Sequence, residues 1–391
     1  MLRSLLPLLF LLAGCASPQS GGKKIYPYRW VYVSRSLQTD AHVAEIERIA
    51  SIAAAHGLNG MVLAAGLDRL DLQPPAYFER LRRVQALCEK LGLELIPIIF
   101  SAGYGGSVLA HDRNLAEGLP VRDALFVVSG GEARHTPDPA PAVANGGMET
   151  FRDHRLHGYQ LQDGPGRLTF VDTQVFREGR AALRFENFAQ DAGGQARLMQ
   201  EIAVRPHRCY RVSFWLKTEG LEPASAFRLR VLGTDGRSLA PWTPRIAATS
   251  DWRRLVWGFN SLDRDRVRIY LGAWGARAGR FWIDDLRVEE VALLNVLRRP
   301  GTPVRVRSET SGADYEEGRD YAPITDPQLD FRYDHEPPVI RLLPGSRIRN
   351  GERLRVDYYH GTTIHESQVT ICMSEPKVYE IWREQARLIR D

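Results

Sequence analysis

The sequence predicts an α/β domain interrupted by an all-β insertion, an antiparallel β-sandwich. Three observations lead there. Two successive βα units with near-continuous apolar strands follow residue 29, the pattern of a parallel sheet buried on both faces. From 145 to 290 the chain changes to short strands in which apolar residues alternate with arginine, a period of two that buries one face and wets the other. After 361 an apolar run, Gln368–Met373, leads into an amphipathic stretch, so βα spacing returns. A length of 391 residues fits two or three domains rather than one.

The elements follow in order. Arg29–Ser34 is a short strand rich in Val and aromatics. Thr39 or Asp40 can cap the next helix, whose apolar positions are Val43, Ile46, Ile49, Ala50 and Ala53, with Gly57 at its C-cap. Gly60–Ala65 is a second buried strand. Pro74 and Pro75 open a helix with Tyr77, Leu81, Val84, Leu87, Cys88 and Leu91 on one face, ended by Gly92. Leu93–Phe100 is a third strand. In such folds the chemistry sits at the carboxyl ends of the strands, here the loops after Ser34, Ala65 and Phe100. Pro137, Pro139 and Pro141 mark a linker. Sandwich strands are read at Ala181–Phe185, Cys209–Leu216, Phe227–Leu232, Arg253–Phe259, Val267–Leu271 and Phe281–Val288. Residues 293–360 stay β-rich, with Gly318, Gly345 and Gly351 in turns. Ser374 caps a last helix, with Pro376 in its first turn and Val378, Ile381, Trp382, Leu388 and Ile389 apolar.

The chain carries 52 basic and 47 acidic residues, a net charge of +5. Lysine occurs only at 23, 24, 90, 217 and 377, so arginine supplies the other 47. These arginines are spread along the chain without a basic block, so nucleic-acid binding is not indicated. Cys88, Cys209 and Cys372 are far apart without CxxC spacing, which excludes zinc-ribbon and thioredoxin-type readings. Cys88 lies on an apolar helix face and reads as core. One disulfide would be compatible with export, but nothing selects the pair.

Arg3 and the leucine-rich run Leu5–Leu12, too short to span a bilayer, form a signal-peptide pattern. Leu12-Ala13-Gly14-Cys15 resembles the lipobox of bacterial lipoproteins. That resemblance implies cleavage before Cys15, acylation of its thiol and amine, and lipid anchoring to the cell envelope, with the outer membrane as the expected location. Residues 16–28 read as a tether.

Residues 29–136 resemble the opening of the barrel in family 20 glycoside hydrolases, the β-hexosaminidases, through Arg29, Leu58-Asn59 and Gly92–Pro97. Cys372–Trp382 looks like the segment before that family's catalytic Asp-Glu pair. The resemblance implies a partial (β/α) barrel-like domain, with 361–391 as a returning βα unit and the chain expected to be truncated, since that pair would lie beyond Asp391. The family's strand-two polar motif is replaced by Leu63–Gly66, and Gly103-Tyr104 stands where its Pro-Gly-His turn would be. Residues 145–290 resemble the galactose-binding-like jelly rolls of family 4 and 9 carbohydrate-binding modules through Asn145–Glu149, Gly179–Leu183, Tyr210–Lys217, Asp251-Trp252 and Phe281–Asp285. Glu149 and Asp284 occupy positions that in such modules often hold a structural calcium, a cation that takes oxygen ligands.

Sugar binding needs flat aromatics with polar neighbours. Trp215, Trp257 and Trp282 read as core. Trp242, in a Pro-flanked loop, and Trp274, beside glycines, are the substrate-binding candidates in the sandwich. Arg29 and Tyr104 are those of the α/β part. No catalytic carboxylate can be assigned; Asp112 and Glu366 are the candidates, where glycosidases generally use two. His360 and His365 flank a Gly-Thr-Thr loop, where a metal or base role competes with an ordinary loop. The expected function is an exported, glycoside-hydrolase-like lipoprotein acting on or binding glycans, inactive as a hydrolase in these 391 residues. The alternatives are a non-catalytic carbohydrate-binding surface lipoprotein and a structural lipoprotein whose sandwich contacts other proteins.

Overall fold

The computed structural model describes residues 26–99, 105–365 and 368–390. The described residues form two compact units: those of 26–67 with 72–98, and those of 68–71 with 99–390.

The first unit is built on a parallel sheet of three strands, β1 (Trp30–Ser34), β2 (Gly60–Ala64) and β3 (Glu94–Pro97), in that order. Helix α1 (Asp40–Ala55) starts where the Thr39 hydroxyl accepts the His42 N–H at 3.3 Å. Helix α2 (Pro75–Leu91) starts on its proline and ends at Gly92 in the left-handed conformation. Val33, Val43, Ile46, Met61, Leu63, Val84 and Cys88 are buried, and the buried Tyr77 donates its hydroxyl to the Ala65 carbonyl at 3.2 Å. The expectation that β1 is buried on both faces is corrected. Trp30 and Tyr32 are 47% and 62% exposed, so only the Val33 side faces the core.

The second unit contains the sandwich. One sheet runs Ser250–Asn260, Cys209–Glu222, Ala278–Val291, Ala182–Phe185, Thr169–Asp172; the other runs Ser238–Trp242, Phe227–Gly233, Arg266–Ala273, Ala196–Ala203, Leu161–Gln162. All pairings are antiparallel. Alternation decides which residues meet between the sheets: Leu198, Ile202, Phe214, Phe227, Leu229, Val231, Ile269, Leu271, Phe281 and Ile283 are buried together. Phe185 stacks on Phe281 at 4.4 Å between ring centres.

A six-stranded antiparallel sheet accompanies the sandwich, in the order Asp314–Tyr315, Arg305–Ser308, Arg353–Gly361, Gly118–Ser129, Glu132–His135, Ile340–Arg341. Residues 118–135, expected in the α/β part, are therefore a hairpin turning at Gly130-Gly131 whose partners lie beyond the sandwich. The second βα correction concerns Gln368–Met373. Gln368–Val369 pairs antiparallel with Thr363–His365, and Ile371 bridges antiparallel to Ala116. Val369, Ile371 and Met373 alternate with polar residues, which suits an antiparallel strand with one wet face and not a parallel strand buried on both. Among the described residues only β1–β3 form a parallel sheet, and the partial barrel expected from the sequence does not assemble from them. The terminal helix, Pro376–Arg390, is present and buries Val378 and Trp382.

Where the sandwich and the six-stranded sheet share a core, Cys209 and Val291 join Phe126, Val356 and Tyr358. His360 sits there, fully buried in a strand and not in a loop. Its Nε2 lies 3.0 Å from Asn260 Nδ2 and its Nδ1 2.9 Å from the Tyr333 hydroxyl, which donates to the Gly361 carbonyl at 3.1 Å. A neutral ring with the proton on Nδ1 satisfies all three contacts. Nearby, Arg208 Nε donates to Glu290 Oε1 at 2.9 Å, with both side chains almost wholly buried.

Candidate functional site

The two outer faces of the sandwich differ. On the sheet carrying Cys209–Glu222, the segment Thr173–Arg180 is fixed by three carboxylates. Asp172 Oδ1 accepts the N–H groups of Gln174 and Val175 at 2.9 and 3.1 Å. Asp284 Oδ2 accepts those of Arg177 and Glu178 at 2.7 and 2.9 Å. Glu149 Oε1 accepts that of Arg180 at 2.8 Å. Gly179 has φ +62°, and a Cβ there would stand 2.0 Å from Glu149 Oε1, so only glycine lets the carboxylate close in. Trp282 is buried and donates Nε1–H to Asp172 Oδ2 at 2.9 Å. The Arg177 guanidinium lies 4.4 Å over the half-buried Trp215 ring.

Glu149 and Asp284 thus both hold N–H donors of one segment. Asp284 is completely buried, and desolvation pushes its carboxyl up to about 6 despite the three backbone N–H groups that favour the charge. Among the described residues no three His, Cys, Asp or Glu side chains converge as a metal cluster.

The outer face of the other sheet is a regular lattice. Met199, Tyr270 and Arg230 are paired across three adjacent strands, and the next row is Arg197, Gly272 and Arg228. Beyond the strand end Trp274 continues the same side, two residues after Gly272. Tyr270, Trp274, Arg228 and Arg230 are all half-buried. Gly272 (φ +149°) packs against the neighbouring strand so closely that a Cβ would lie 2.3 Å from the Ala196 carbonyl oxygen. Gly272 is itself buried, and no side chain stands between Tyr270 and Trp274 on this side of the strand. Tyr270 and Trp274, four residues apart on an extended chain, stand about 13 Å from each other along the strand. Two half-buried aromatic rings on one side of a strand, with arginines on the neighbouring strands, can stack on apolar ring faces and hydrogen-bond to polar substituents.

The other nominated residues lie elsewhere. Trp242 stacks on Trp257, 4.7 Å between centres and 13° from parallel, and both pack against the sandwich core, so one face of the Trp242 ring is already used. Asp112 accepts the N–H of Asn114 at 3.0 Å and pairs with Lys377 at 2.8 Å. Desolvation raises its carboxyl, but the Lys377 ammonium and the Asn114 donors outweigh that and leave it below the ordinary value. An ionised, lysine-bound carboxylate is a poor proton donor. Arg29 donates Nε–H to the Gly57 carbonyl at 2.7 Å and an Nη1 hydrogen to the Tyr26 carbonyl at 2.5 Å, so its fork ties chain segments together. Tyr104, Glu366 and Cys15 lie outside the described residues. Cys88, Cys209 and Cys372 are free. A cleft of about 730 Å³ is lined by Gly105, Leu109, His111, Arg113, Phe331 and Val369. In it His111 Nε2 faces Asp71 at 3.0 Å while Nδ1 faces the Ser107 carbonyl at 2.8 Å, so the ring is held at both nitrogens. Among the described residues no helix is long and apolar enough to cross a membrane.

Sequence reasoning weighed Tyr270 among the sandwich aromatics but chose Trp274, and it passed over Arg228 and Arg230. The available signal was Tyr270-Leu-Gly-Ala-Trp274, where period two places Tyr, Gly and Trp on one side.

No family model and no curated protein matches the chain. Several solved structures are similar to part of it. A CBM4 structure is 14% identical with a TM-score of 0.28 and covers 38% of this chain and 100% of its own. TmCBM61 in complex with beta-1,4-galactotriose is 19% identical, with a TM-score of 0.29, over 38% of this chain and 97% of its own. A cyclase from Fischerella sp. TAU is 15% identical, with a TM-score of 0.32, over 39% of this chain and 96% of its own. At this level of similarity none of them assigns a ligand or an activity to the chain.

Proposed function

We propose that the protein is a non-catalytic glycan-binding protein, exported and lipid-anchored through Cys15, that holds its ligand on the outer face of the sheet bearing Tyr270 and Trp274. The observation that carries the reading is the pair of half-buried aromatic rings, Tyr270 and Trp274, on one side of a strand flanked by arginines. The opposite outer face is occupied by the clasped Thr173–Arg180 segment. Affinity electrophoresis against a panel of soluble polysaccharides tests the binding. Retardation by at least one polymer, reduced tenfold or more in Trp274→Ala and Tyr270→Ala, is the expected result; a panel that leaves the wild type unretarded would end the proposal. Anchoring rests on the lipobox and tether of the sequence. Cys15→Ser should abolish palmitate labelling and move the protein to the soluble fraction, since stable anchoring takes more than one acyl chain.

Hydrolase activity on a glycan is the second proposal. It is favoured only by the βα units around β1–β3, and the nominated Asp112 is held as a carboxylate by Lys377. Turnover of aryl N-acetylhexosaminides by the 391-residue chain, lost in Asp112→Asn or Glu366→Gln, would restore it.

A structural calcium at Glu149 and Asp284 belongs to the first proposal. Its support is the buried Asp284 carboxylate, whose charge a divalent cation would compensate. A melting temperature raised by calcium and lowered by chelator is expected. A chelator-insensitive midpoint leaves the carboxylates as clasps of the 177–180 backbone alone.

A further inference from the structure

The open sheet face carries an excess of one charge. Five guanidiniums project from it: Arg197, Arg228, Arg230, Arg266 and Arg268. Two carboxylates answer them. Arg197 Nε donates to Asp163 at 2.7 Å, and Arg266 and Arg268 share Glu201 at 2.8 and 3.0 Å. Five positive against two negative charges leaves +3, on one face of a chain whose total is +5. The two arginines without a carboxylate partner among the described residues are Arg228 and Arg230, the pair beside Gly272 and Tyr270. Arg230 rests its guanidinium over the Trp274 ring at 5.6 Å. Arg228 Nε is buried and has no hydrogen-bond partner.

We infer that the glycan this face recognises is acidic, with carboxylate groups on its sugar rings that pair with Arg228 and Arg230 while Tyr270 and Trp274 hold the ring faces. This rests on the glycan-binding reading above and narrows it to a ligand class. Three physical points carry it. A guanidinium matches a carboxylate in two parallel hydrogen bonds, which sugar hydroxyls do not reproduce. A neutral chain laid over this face would bury the half-exposed Arg228 and Arg230 guanidiniums further without supplying a counter-charge, at a cost larger than that of an ordinary missing hydrogen bond. The unneutralised charge sits on half-buried side chains beside the aromatic pair, so ligand charge meets it where water is already partly excluded. Aromatic stacking makes the face selective for sugars over other polyanions, and the arginines make it selective among sugars.

The experiment compares polygalacturonate, the same polymer after reduction of its carboxyl groups, and poly-glutamate, each titrated into the intact chain by calorimetry at low and at 0.3 M salt. The expected result is tight binding to polygalacturonate, at least tenfold weaker binding to the carboxyl-reduced polymer, and weaker binding still to poly-glutamate. Salt should weaken the first interaction most. Arg228→Gln with Arg230→Gln should erase the preference for the acidic over the carboxyl-reduced polymer, whereas Trp274→Ala should weaken binding to both and leave the preference. Circular dichroism of each variant checks that the sandwich is folded. Equal affinity for the acidic and reduced polymers would overturn the inference while leaving glycan binding in place. Equal affinity for polygalacturonate and poly-glutamate would also overturn it, since the face would then be a mere anion patch. No binding to either polysaccharide would defeat the acidic class, and the wider polysaccharide panel then decides separately whether glycan binding survives.

Discussion

Replacing His360 by Gln should make the protein lose its acid sensitivity in one defined window. His360 is completely buried, and desolvation lowers its imidazole to about 4. Protonating Nε2 would also set a new N–H against the Asn260 amide, 3.0 Å away. In the unfolded chain the ring titrates near its ordinary value of about 6.5. The folded value is depressed, so the unfolded state binds the proton first. The stability held at neutral pH is therefore lost as pH falls from about 6.5 through 4. A shift of that size corresponds to about 3 kcal/mol between the ends of the window, of which roughly 2 to 3 kcal/mol is lost by pH 4.5. Gln cannot titrate. At pH 7.5 the variant should be less stable than the wild type, because the Tyr333 and Asn260 contacts are remade imperfectly. That deficit should shrink by about 2 kcal/mol by pH 4.5. The assay is urea unfolding of both proteins at half-unit steps from pH 7.5 to 4.5, and the difference cancels every other titrating group that the two share. A deficit constant across that range would refute the claim that His360 is buried as the neutral base.

Asp284 should act in the opposite sense. Its carboxyl is raised to about 6 in the folded state, so the folded state binds the proton first and stability rises as pH falls from 6 towards 4. Asp284→Asn should remove that gain, and a variant whose acid slope matches the wild type would contradict it. Glu290→Gln leaves the Arg208 guanidinium buried without its counter-charge, and a loss of about 3 to 5 kcal/mol in urea unfolding is expected; a loss under about 1 kcal/mol would mean that water reaches the pair. Gly272→Ala forces a Cβ against the Ala196 carbonyl, so it should lower the melting temperature by several degrees. An unchanged melting temperature would show that the two strands can part there.

Period-two alternation was enough to find the sandwich. Arg228-Leu-Arg-Val231 and Val267-Arg-Ile-Tyr270 send leucine, valine and isoleucine to the core and arginine and tyrosine to solvent. It could not find the six-stranded sheet. Gly118–Ser129 and Arg353–Gly361 pair across more than two hundred residues, and no local pattern records a partner that distant. The same limit explains Gln368–Val369, whose apolar positions fit a βα strand or a hairpin strand until the partner is known. Spacing likewise placed Glu149 and Asp284 near each other but not their role, because each is engaged by backbone N–H groups of 177–180, which no side-chain motif encodes.

The arginine content illustrates how composition and position differ as evidence. Arginine outnumbers lysine throughout the chain, so its abundance by itself signals nothing. Most of these guanidiniums meet a carboxylate in the fold, as Arg184 meets Asp172, Arg211 meets Glu289, and Arg347 meets Asp320. Other half-buried arginines without a carboxylate bond elsewhere, Arg29 to chain carbonyls and Arg122 to the Tyr359 hydroxyl, so one with neither is a departure from how this protein handles its own charge. Arg228 and Arg230 are such a departure, on adjacent same-face positions of one strand beside two aromatic rings. Burying charge incompletely costs stability unless something outside the chain completes it. The outer face beside Tyr270 and Trp274 is the place where that completion can enter.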